Sequence, residues 1–449
     1  MRLLTILTTA FLLMPAAHAG EWVSFPPGFE WCVSTAAHQI EGGNVNSDWW
    51  QWEQTPGHIR NGQKSGAAVD HWNRVGEDIG LIQDLGANAY RFSVEWAKIE
   101  PTEGVIDATA VQHYHDEVAL LRERGISPII TLQHFTLPQW VVGKGAWEWD
   151  GMPEAFARYT ALVYSQIAQG TRDWVTINEP MVAVMNGYQQ GIFPPGEKRP
   201  MSGLVPVLRG LLRSHARAYH VLHESAAARG SLIRVGMAHH LRTFDPANRF
   251  NPLDLLATHL VAQAWNWMIP DALETGHLHF NLLWLVHANE LIDGLSGTQD
   301  FVGVNYYTGD LIELSLTHGI IQKERKNLPK SDLGWTINPP GFYRVLKTVA
   351  KKYPALPILI TENGVADSND GLRPEFIRAH LAELSRAIRD GARVEGYCHW
   401  SLMDNFEWAE GFAPRFGLYA VDYSTLARSP RPSAALFHDI AVSNGFWKN

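Results

Sequence analysis

The sequence predicts an α/β fold in one domain, a closed (β/α)₈ TIM barrel, and one recurring unit leads to this prediction. The unit is an amphipathic helix, a glycine, and a short apolar strand that ends in polar residues. Strands that alternate with helices form right-handed crossovers and a parallel sheet. Eight repeats without a linker favour a closed barrel. The alternative is two doubly wound domains, but no Gly-rich phosphate-binding motif follows the first strand.

The elements follow from the period of the apolar residues and from their stop signals. Four helices are well marked, at 70–86, 107–125, 153–170 and 373–391. In the second helix, Asp107 is the expected N-cap and Gly125 the expected stop. We predict strands at 29–36, 89–94, 127–132, 174–178, 233–238, 301–306, 357–361 and 394–400.

Two long inserts, 240–300 and 308–342, carry many aromatic residues. Barrel enzymes build their sites from such loops at the C-terminal ends of the strands. We therefore expect these inserts to shape a binding cleft.

The N-terminus has the pattern of a secretory signal peptide. Arg2 is followed by an apolar run from Leu3 to Met14, and Ala17-His18-Ala19 fits a cleavage site. The alternative is a frayed apolar N-terminus. We expect residues 1–19 to be removed on export, and residues 20–449 to form a periplasmic or secreted domain without a membrane anchor.

Bulk composition excludes several classes of partner. The net charge of −9 and the pI of about 6.1 do not favour nucleic acid or anionic membranes. The oligomeric state stays open. Cys32 and Cys398 have no metal-binding or redox spacing. Export would permit a disulfide between them, although we expect two buried thiols.

Polar residues stand at the end of nearly every predicted strand. In a barrel these ends face one pocket, so the polar residues should meet there. His239 and His240 would either shape that cleft or be satisfied histidines at its rim, and we favour the rim. The candidates are Gln39, Arg91, His134, Asn178, Glu179, the two histidines, Asn305, Tyr307, Glu362, Trp400, Glu407 and Trp408.

Two of these strand ends carry a glutamate, Glu179 in WVTINEP and Glu362 in PILITENG. No HExxH motif, Asp-rich loop, P-loop or GxSxG motif accompanies them, so we expect no metal and no cofactor. Paired carboxylates without metal suit glycoside hydrolysis, in which one protonates the leaving oxygen and the other attacks or activates water. The alternative is two buried glutamates in ion pairs.

Six blocks together resemble family 1 glycoside hydrolases, the group that includes β-glucosidases and β-galactosidases. They extend over nearly the whole mature chain, in the order of that family. The resemblance implies the barrel fold and a retaining mechanism. The blocks are FEWCVSTAAHQIEG (29–42), YRFSVEWAKIEPTEG (90–104), TINEP (176–180), GVNYY (303–307), TENG (361–364) and WSLMDNFEWAEGFAPRFGLYAVDY (400–423).

The resemblance also implies roles for the two glutamates. Glu362 would be the nucleophile that forms the covalent glycosyl-enzyme, and Glu179 the acid and then the base. Arg91 and Tyr307 would contact Glu362 and hold it ionised. Glu179 would lack such partners and lie in a more apolar environment, so that it stays protonated until needed.

The same resemblance implies a sugar clamp around the glycone. Trp400 would be the platform beneath the ring, and Trp335 would lie on the aglycone side. A carboxylate at Glu407 would repel a 6-phosphate, so we expect an unphosphorylated glycone. The hydrogen-bonding residues would be Gln39, His134, Asn178, Glu407 and Trp408, with Asn305 as a further substrate-binding candidate.

This chain departs from the family pattern at a few positions. Phe135 and Met181 stand where tryptophan is frequent, Thr136 where aspartate is common, and Cys32 where glycine is usual. Phe135 removes an indole donor near the 3-hydroxyl, and we expect the thioether of Met181 to make the leaving-group site more adaptable.

The hypothesis is therefore an exo-acting hydrolase of a small β-glycoside or oligosaccharide. β-Glucosides are the first choice, then β-galactosides or β-fucosides; mannosides also stay open. The alternatives are a transglycosidase that uses the same residues, and a catalytically inactive carbohydrate-binding protein. The latter typically lacks one glutamate, whereas both are present here.

Overall fold

The computed structural model describes residues 20–282, 285–315 and 317–448, so the predicted signal peptide at 1–19 lies outside the described residues. Its centre is a closed barrel of eight parallel strands, as the sequence predicts. The last strand closes the barrel against the first. The strands are β1 (Glu30–Ser34), β2 (Ala89–Ser93), β3 (Ser127–Gln133), β4 (Asp173–Asn178), β5 (Arg234–His240), β6 (Val302–Tyr306), β7 (Ile358–Asn363) and β8 (Val394–Trp400).

One main helix follows each strand and covers the barrel from outside. The Asp107 carboxylate accepts hydrogen bonds from the backbone N–H groups of Thr109 and Ala110, which confirms the predicted N-cap. Gly125 ends the same helix in the left-handed region, at φ 72°. The helices are α1 (His71–Asp84), α2 (Ala108–Glu123), α3 (Met152–Leu162), α4 (Val205–Ala227), α5 (Met268–Thr275), α6 (Pro339–Lys352), α7 (Arg373–Arg389) and α8 (Pro432–Ser443).

The third predicted helix is shorter than expected, because a π-helical turn, Val163–Ile167, takes over after Leu162. No helix in the described part of the chain is long and apolar enough to cross a membrane. The other helical segments are Ala37–Ile40, Asp48–Trp52, Arg60–Gly62, Trp96–Ile99, Gln139–Val142, Ala146–Glu148, Pro180–Val184, Met185–Gln190, Met201–Leu204, Pro252–Ala262, Gln263–Trp267 and Trp408–Glu410.

Four small sheets surround the barrel in the described part of the chain, and the two long inserts contribute two of them. Thr243–Pro246, Gly309–Ser315 and Gly319–Lys323 form one three-stranded sheet, which joins both inserts beside the C-terminal ends of the strands. The two-stranded sheets pair His277–Leu282 with Val286–Leu291, Tyr419–Val421 with Arg428–Pro430, and Glu21–Ser24 with Gly445–Lys448.

The barrel interior contains a ring of small and branched side chains contributed by the strands. Cys32 on β1 and Cys398 on β8 lie opposite each other in this ring, because the two strands pair in parallel register. Their sulfur atoms form a disulfide bond, so the expectation of two thiols is wrong. The pairing depends on the register of the first strand against the last, which the sequence does not reveal.

Candidate active site

A cleft of about 400 Å³ opens at the C-terminal ends of the barrel strands, within the usual range of small-ligand sites. The predicted residues divide into two layers. Those that line the cleft are His134, Glu179, Tyr307, Trp335, Glu362, Trp400, Glu407 and Trp408. Beneath them, completely buried and in contact with them, lie Gln39, Arg91, Asn178 and Asn305.

Glu362 lies near the end of β7 and is 3% exposed. The Arg91 guanidinium donates from Nη1 to its Oε1 at 2.6 Å, and the Tyr307 hydroxyl donates to its Oε2 at 2.6 Å. Each carboxylate oxygen therefore accepts one strong hydrogen bond, and one of the donors carries a positive charge. These contacts stabilise negative charge on Glu362.

Glu179 directly follows β4 in a left-handed conformation, φ 43°, which is uncommon for a residue with a side chain. Asn305 donates to its Oε1 at 2.9 Å. Burial raises the pKa of Glu179 well above its usual range, and the nearby charge of Glu362 raises it further. The two carboxyl groups therefore lie in different environments. Among the described residues, Glu362 is paired with a cation, whereas Glu179 is not.

Asn178 connects the surroundings of the two glutamates. Its Oδ1 accepts hydrogen bonds from Arg91 at 2.7 Å and from Asn305 at 3.1 Å, while its Nδ2 lies 3.0 Å from His134 Nε2. Burial, followed by the Arg91 charge, lowers the pKa of His134 well below its usual value. The imidazole is therefore neutral, and its Nε2 accepts the hydrogen bond from the Asn178 amide.

Glu407 and Trp408 form another part of the cleft wall. Gln39 Nε2 donates to Glu407 Oε2 at 3.1 Å and also to the backbone oxygen of Phe406 at 2.9 Å. Burial, together with the charge of Glu362, raises the pKa of Glu407 to about 8. The Glu407 carboxyl group therefore binds a proton more readily than an ordinary glutamate does.

The family follows from this barrel, its two glutamates and the match over their sequence. Residues 22–446 match the model described as Glycosyl hydrolase family 1. The chain belongs to this family. It is therefore a glycoside hydrolase.

Characterised relatives of this family 1 enzyme include beta-glucosidase A of Thermotoga maritima, which is 34% identical over 446 residues that cover 94% of this chain and 98% of the relative. A solved family 1 β-glucosidase from Thermotoga maritima superposes with a TM-score of 0.88 at 33% identity, covering 95% of this chain and 99% of that one. A β-glycosidase from Pyrococcus horikoshii gives a TM-score of 0.86 at 36% identity, covering 96% and 97%.

Sequence reasoning missed a polar wall of the cleft in this family 1 enzyme. Arg242 and Trp265 line the cleft, and His240 joins them there rather than being a satisfied rim histidine. Three buried nitrogen atoms of this wall have no hydrogen-bond partner in the described part of the chain. They are both ring nitrogens of His240 and the Nε of Arg242. Burial lowers the pKa of His240 well below its usual value, so its ring is neutral.

A further part of the cleft wall is apolar, and it was also not predicted. Its residues come from the segments after β4, β6 and β8, and the periodicity of the strands carries no information about those segments. Met181, expected on the leaving-group side, is packed in the hydrophobic core, and its neighbour Val182 lines the cleft instead. The other apolar residues along the cleft include Ile192, Phe193, Leu333 and Phe416.

Two departures from the family pattern have clear structural consequences. Phe135 lies against Trp408, with ring centroids 5.0 Å apart, and lines the cleft with a ring that has no N–H donor. Thr136 points away from the cleft and donates to the buried carboxylate of Glu95 at 2.9 Å. The first change therefore alters the lining of the cleft, and the second belongs to a supporting network.

Proposed function

We propose that this family 1 enzyme is a retaining, exo-acting β-glycosidase with Glu362 as nucleophile and Glu179 as acid and base. The observation that carries the proposal is the contrast between the two carboxyl groups. Glu362 receives hydrogen bonds from Arg91 and Tyr307 at 2.6 Å each, whereas burial raises the pKa of Glu179 well above its usual range. One group is prepared to attack, and the other to donate a proton.

In the first step, a carboxylate oxygen of Glu362 attacks the anomeric carbon. The bond from that carbon to the leaving oxygen breaks, and the proton of Glu179 passes to the leaving oxygen. The sugar is then an ester of Glu362, and Glu179 has become a carboxylate. Esterification also removes the charge of Glu362, which is one of the causes of the raised pKa of Glu179.

In the second step, water attacks the same carbon from the side that the leaving group has vacated. Glu179 accepts a proton from that water, the bond to Glu362 breaks, and the β-sugar is released. One water is consumed for each bond cleaved, and both glutamates return to their initial states. Two inversions at one carbon give net retention.

The glycone site favours a neutral, hydroxyl-rich sugar. Trp400 and Trp408 offer apolar ring faces, while Glu407, His134 and Gln39 supply the polar groups around them. Glucosides are the first choice because Beta-glucosidase A is the name of a relative that is aligned over 94% of this chain. Galactosides and fucosides follow, since Phe135 offers no N–H donor to select among hydroxyl orientations.

A phosphorylated glycone does not fit this cleft. Arg242 is the only lysine or arginine among the described residues that line it, and its Nη2 lies 2.7 Å from a carboxylate oxygen of Asp310. A phosphate dianion would therefore enter a site that already holds two glutamates and offers no free cation. Repulsion by an ionised Glu407, as expected from the sequence, would act in the same direction.

We also propose export of the chain. Support comes from the signal-like pattern of residues 1–19 and from the disulfide between Cys32 and Cys398, a bond typical of oxidising compartments. Expression of the full chain in a bacterial host, with N-terminal sequencing of the processed protein, tests this. A mature protein that begins at Gly20 supports export, and an uncleaved Met1 contradicts it.

The function is tested with a panel of chromogenic β-glycosides and their 6-phospho counterparts. We expect hydrolysis of unphosphorylated glycosides only, and a loss of about 10⁴-fold or more in Glu362→Ala, as for removal of other nucleophiles. Undiminished activity in this variant, or activity confined to 6-phosphoglycosides, would contradict the proposal. Product analysis at high acceptor concentration separates hydrolysis from glycosyl transfer.

A further inference from the structure

The short helix Ala37–Ile40 lies directly behind the Glu407–Trp408 pair and contacts both members of it. Gln39 holds the Glu407 carboxyl group by a hydrogen bond of 3.1 Å. The preceding residue, His38, lies against Trp408, with ring centroids 5.7 Å apart and ring planes only 8° apart. Two consecutive residues of one turn of helix therefore contact the two neighbouring residues of the glycone wall.

Trp408 requires such support because neither its backbone conformation nor a hydrogen bond of its indole fixes the orientation of the ring. Its φ is 50°, a left-handed value that is uncommon for a bulky residue and costs conformational energy. In the described part of the chain its indole makes no hydrogen bond to protein. Its orientation therefore depends on ring packing, and the two nearly parallel neighbours are His38 at 8° and His134 at 16°.

His38 is itself held firmly in place. It is 2% exposed, and the Asn44 amide donates to its Nδ1 at 3.1 Å. Its Nε2 has no hydrogen-bond partner in the described part of the chain and lies 3.8 Å from a carboxylate oxygen of Glu53. Glu53 is itself fixed by hydrogen bonds from the backbone N–H and the hydroxyl of Ser65. The ring does not line the cleft, so it does not touch a bound sugar.

We propose that His38 is a positioning residue of the glycone site, which acts through Trp408 by fixing the plane of its indole. The inference rests on the proposed function, because it assigns the Glu407–Trp408 wall to glycone binding. The competing interpretation is ordinary core packing. Core packing predicts lower stability without a selective effect on sugar binding, whereas positioning predicts weaker sugar binding that depends on Trp408.

Two substitutions distinguish the effect of a flat ring at position 38 from the effect of side-chain volume. His38→Phe keeps a flat ring that can stack on the indole, and His38→Leu fills similar space without a ring plane. A stacked ring pair contributes about 3- to 10-fold in an equilibrium constant. We expect His38→Leu to weaken competitive inhibition by the released monosaccharide about 3- to 10-fold and to raise KM with little change in kcat. We expect His38→Phe to remain within about 2-fold of wild type.

A double-mutant cycle with Trp408→Ala gives the decisive measurement. If His38 acts through the indole, His38→Leu has no further effect on the inhibition constant once Trp408 is absent. His380→Leu is the matched control, since His380 is an equally buried histidine that stacks on Phe376 far from the cleft. This control should lower Tm without changing the inhibition constant.

Three results would overturn the inference: unchanged inhibition in His38→Leu, equal loss in His38→Phe, or additive effects in the cycle. If His38→Leu does not fold, His38→Phe alone still decides, because a loss of 3-fold or more in that variant contradicts a role that needs only a flat ring. A wild-type protein that hydrolyses no β-glycoside would instead refute the proposed function, so the two failures are distinguishable.

Discussion

Arg91 on β2 donates a 2.6 Å hydrogen bond across the barrel to Glu362 on β7, and both side chains are almost completely buried, at 0% and 4% exposed. A buried charge without a partner costs several kcal/mol. Here each charge compensates the other, and the remaining guanidinium hydrogen bonds are accepted by Asn178, Thr131 and the backbone oxygen of Thr361. The negative charge of Glu362 is thus fixed at the base of the cleft before any substrate arrives.

Tyr307→Phe removes the second donor to Glu362 and should lower kcat/KM about 10- to 100-fold, as for a hydrogen bond to a charged group. The neighbouring Tyr306 is a matched control, because its hydroxyl donates to the backbone oxygen of Asn338 instead. Tyr306→Phe should leave kcat/KM near wild type and reduce only Tm. Equal kinetic losses in the two variants would refute a specific role for Tyr307.

Glu179 should control the alkaline limb of the pH profile. The first step needs its protonated form, and burial raises its pKa well above that of an ordinary glutamate. Activity should therefore persist above pH 4.5 and fall as pH rises through the raised pKa.

Glu179→Gln should abolish this limb and lower kcat/KM for poor leaving groups by about 10²- to 10⁴-fold. Substrates with strongly acidic phenol leaving groups should lose far less in the first step, because they need no proton. Glu410→Gln, at the half-exposed rim beside Arg60, is the control and should keep the limb. Persistence of the alkaline limb in Glu179→Gln would assign it to another group.

The polar wall should favour leaving groups that carry hydroxyls. His240→Phe removes two ring nitrogens and Arg242→Met removes an Nε, and none of the three has a hydrogen-bond partner in the described part of the chain. Arg242→Met also removes the ion pair with Asp310. We expect kcat/KM for a β-linked disaccharide to fall about 10-fold, the loss of one or two hydrogen bonds, and kcat/KM for an aryl glycoside to change little.

The matched control is Ile192→Ala, in the apolar part of the same cleft. It should reduce cleavage of the aryl glycoside more than that of the disaccharide, because it removes apolar contact surface. An identical response to both substrates in all three variants would show that these walls do not select the leaving group.

His71 should make stability depend on pH far from the cleft. Burial alone would lower its pKa, but the hydrogen bonds to Asp78 and Glu117 outweigh burial and raise it to about 10. The unfolded value is near 6.5, so this contribution is complete below about pH 6.5 and disappears as pH rises towards 10.

Urea unfolding at pH 6 and pH 9.5 measures the effect. The free energy of unfolding of His71→Asn should lie about 2–4 kcal/mol below that of wild type at pH 6, with a smaller gap at pH 9.5. His115→Asn, at an exposed position, should show no such trend. A gap for His71→Asn that is constant or grows with pH would contradict the charged-histidine account.

The fold could be predicted because its signals are local. All eight barrel strands lie within a few residues of their predicted positions, since each is a short apolar run and most of them follow a helix and a glycine. The disulfide could not be predicted, because it depends on how β1 and β8 align across the full length of the chain.

The residues alone predicted the candidate site where a side chain lies at a strand end, whereas Trp335 was predicted through the family resemblance. Glu179, Tyr307 and Glu362 were found from their strand-end positions, and the structure brings them into one cleft. Arg242 and Trp265 come from an irregular insert whose path the sequence does not give. The raised pKa of Glu407 was missed for a different reason: it follows from burial, which depends on the packing of distant segments.

The central claim is that Glu362 forms a covalent bond with the sugar. A 2-deoxy-2-fluoro β-glycoside with a good leaving group measures this directly. The fluorine slows both steps, and the good leaving group restores the rate of the first step only, so the intermediate accumulates. Peptide mass analysis should find one fluoroglycosyl group, attached to Glu362. Attachment to another residue, or hydrolysis of the reagent without any adduct, would contradict the assignment.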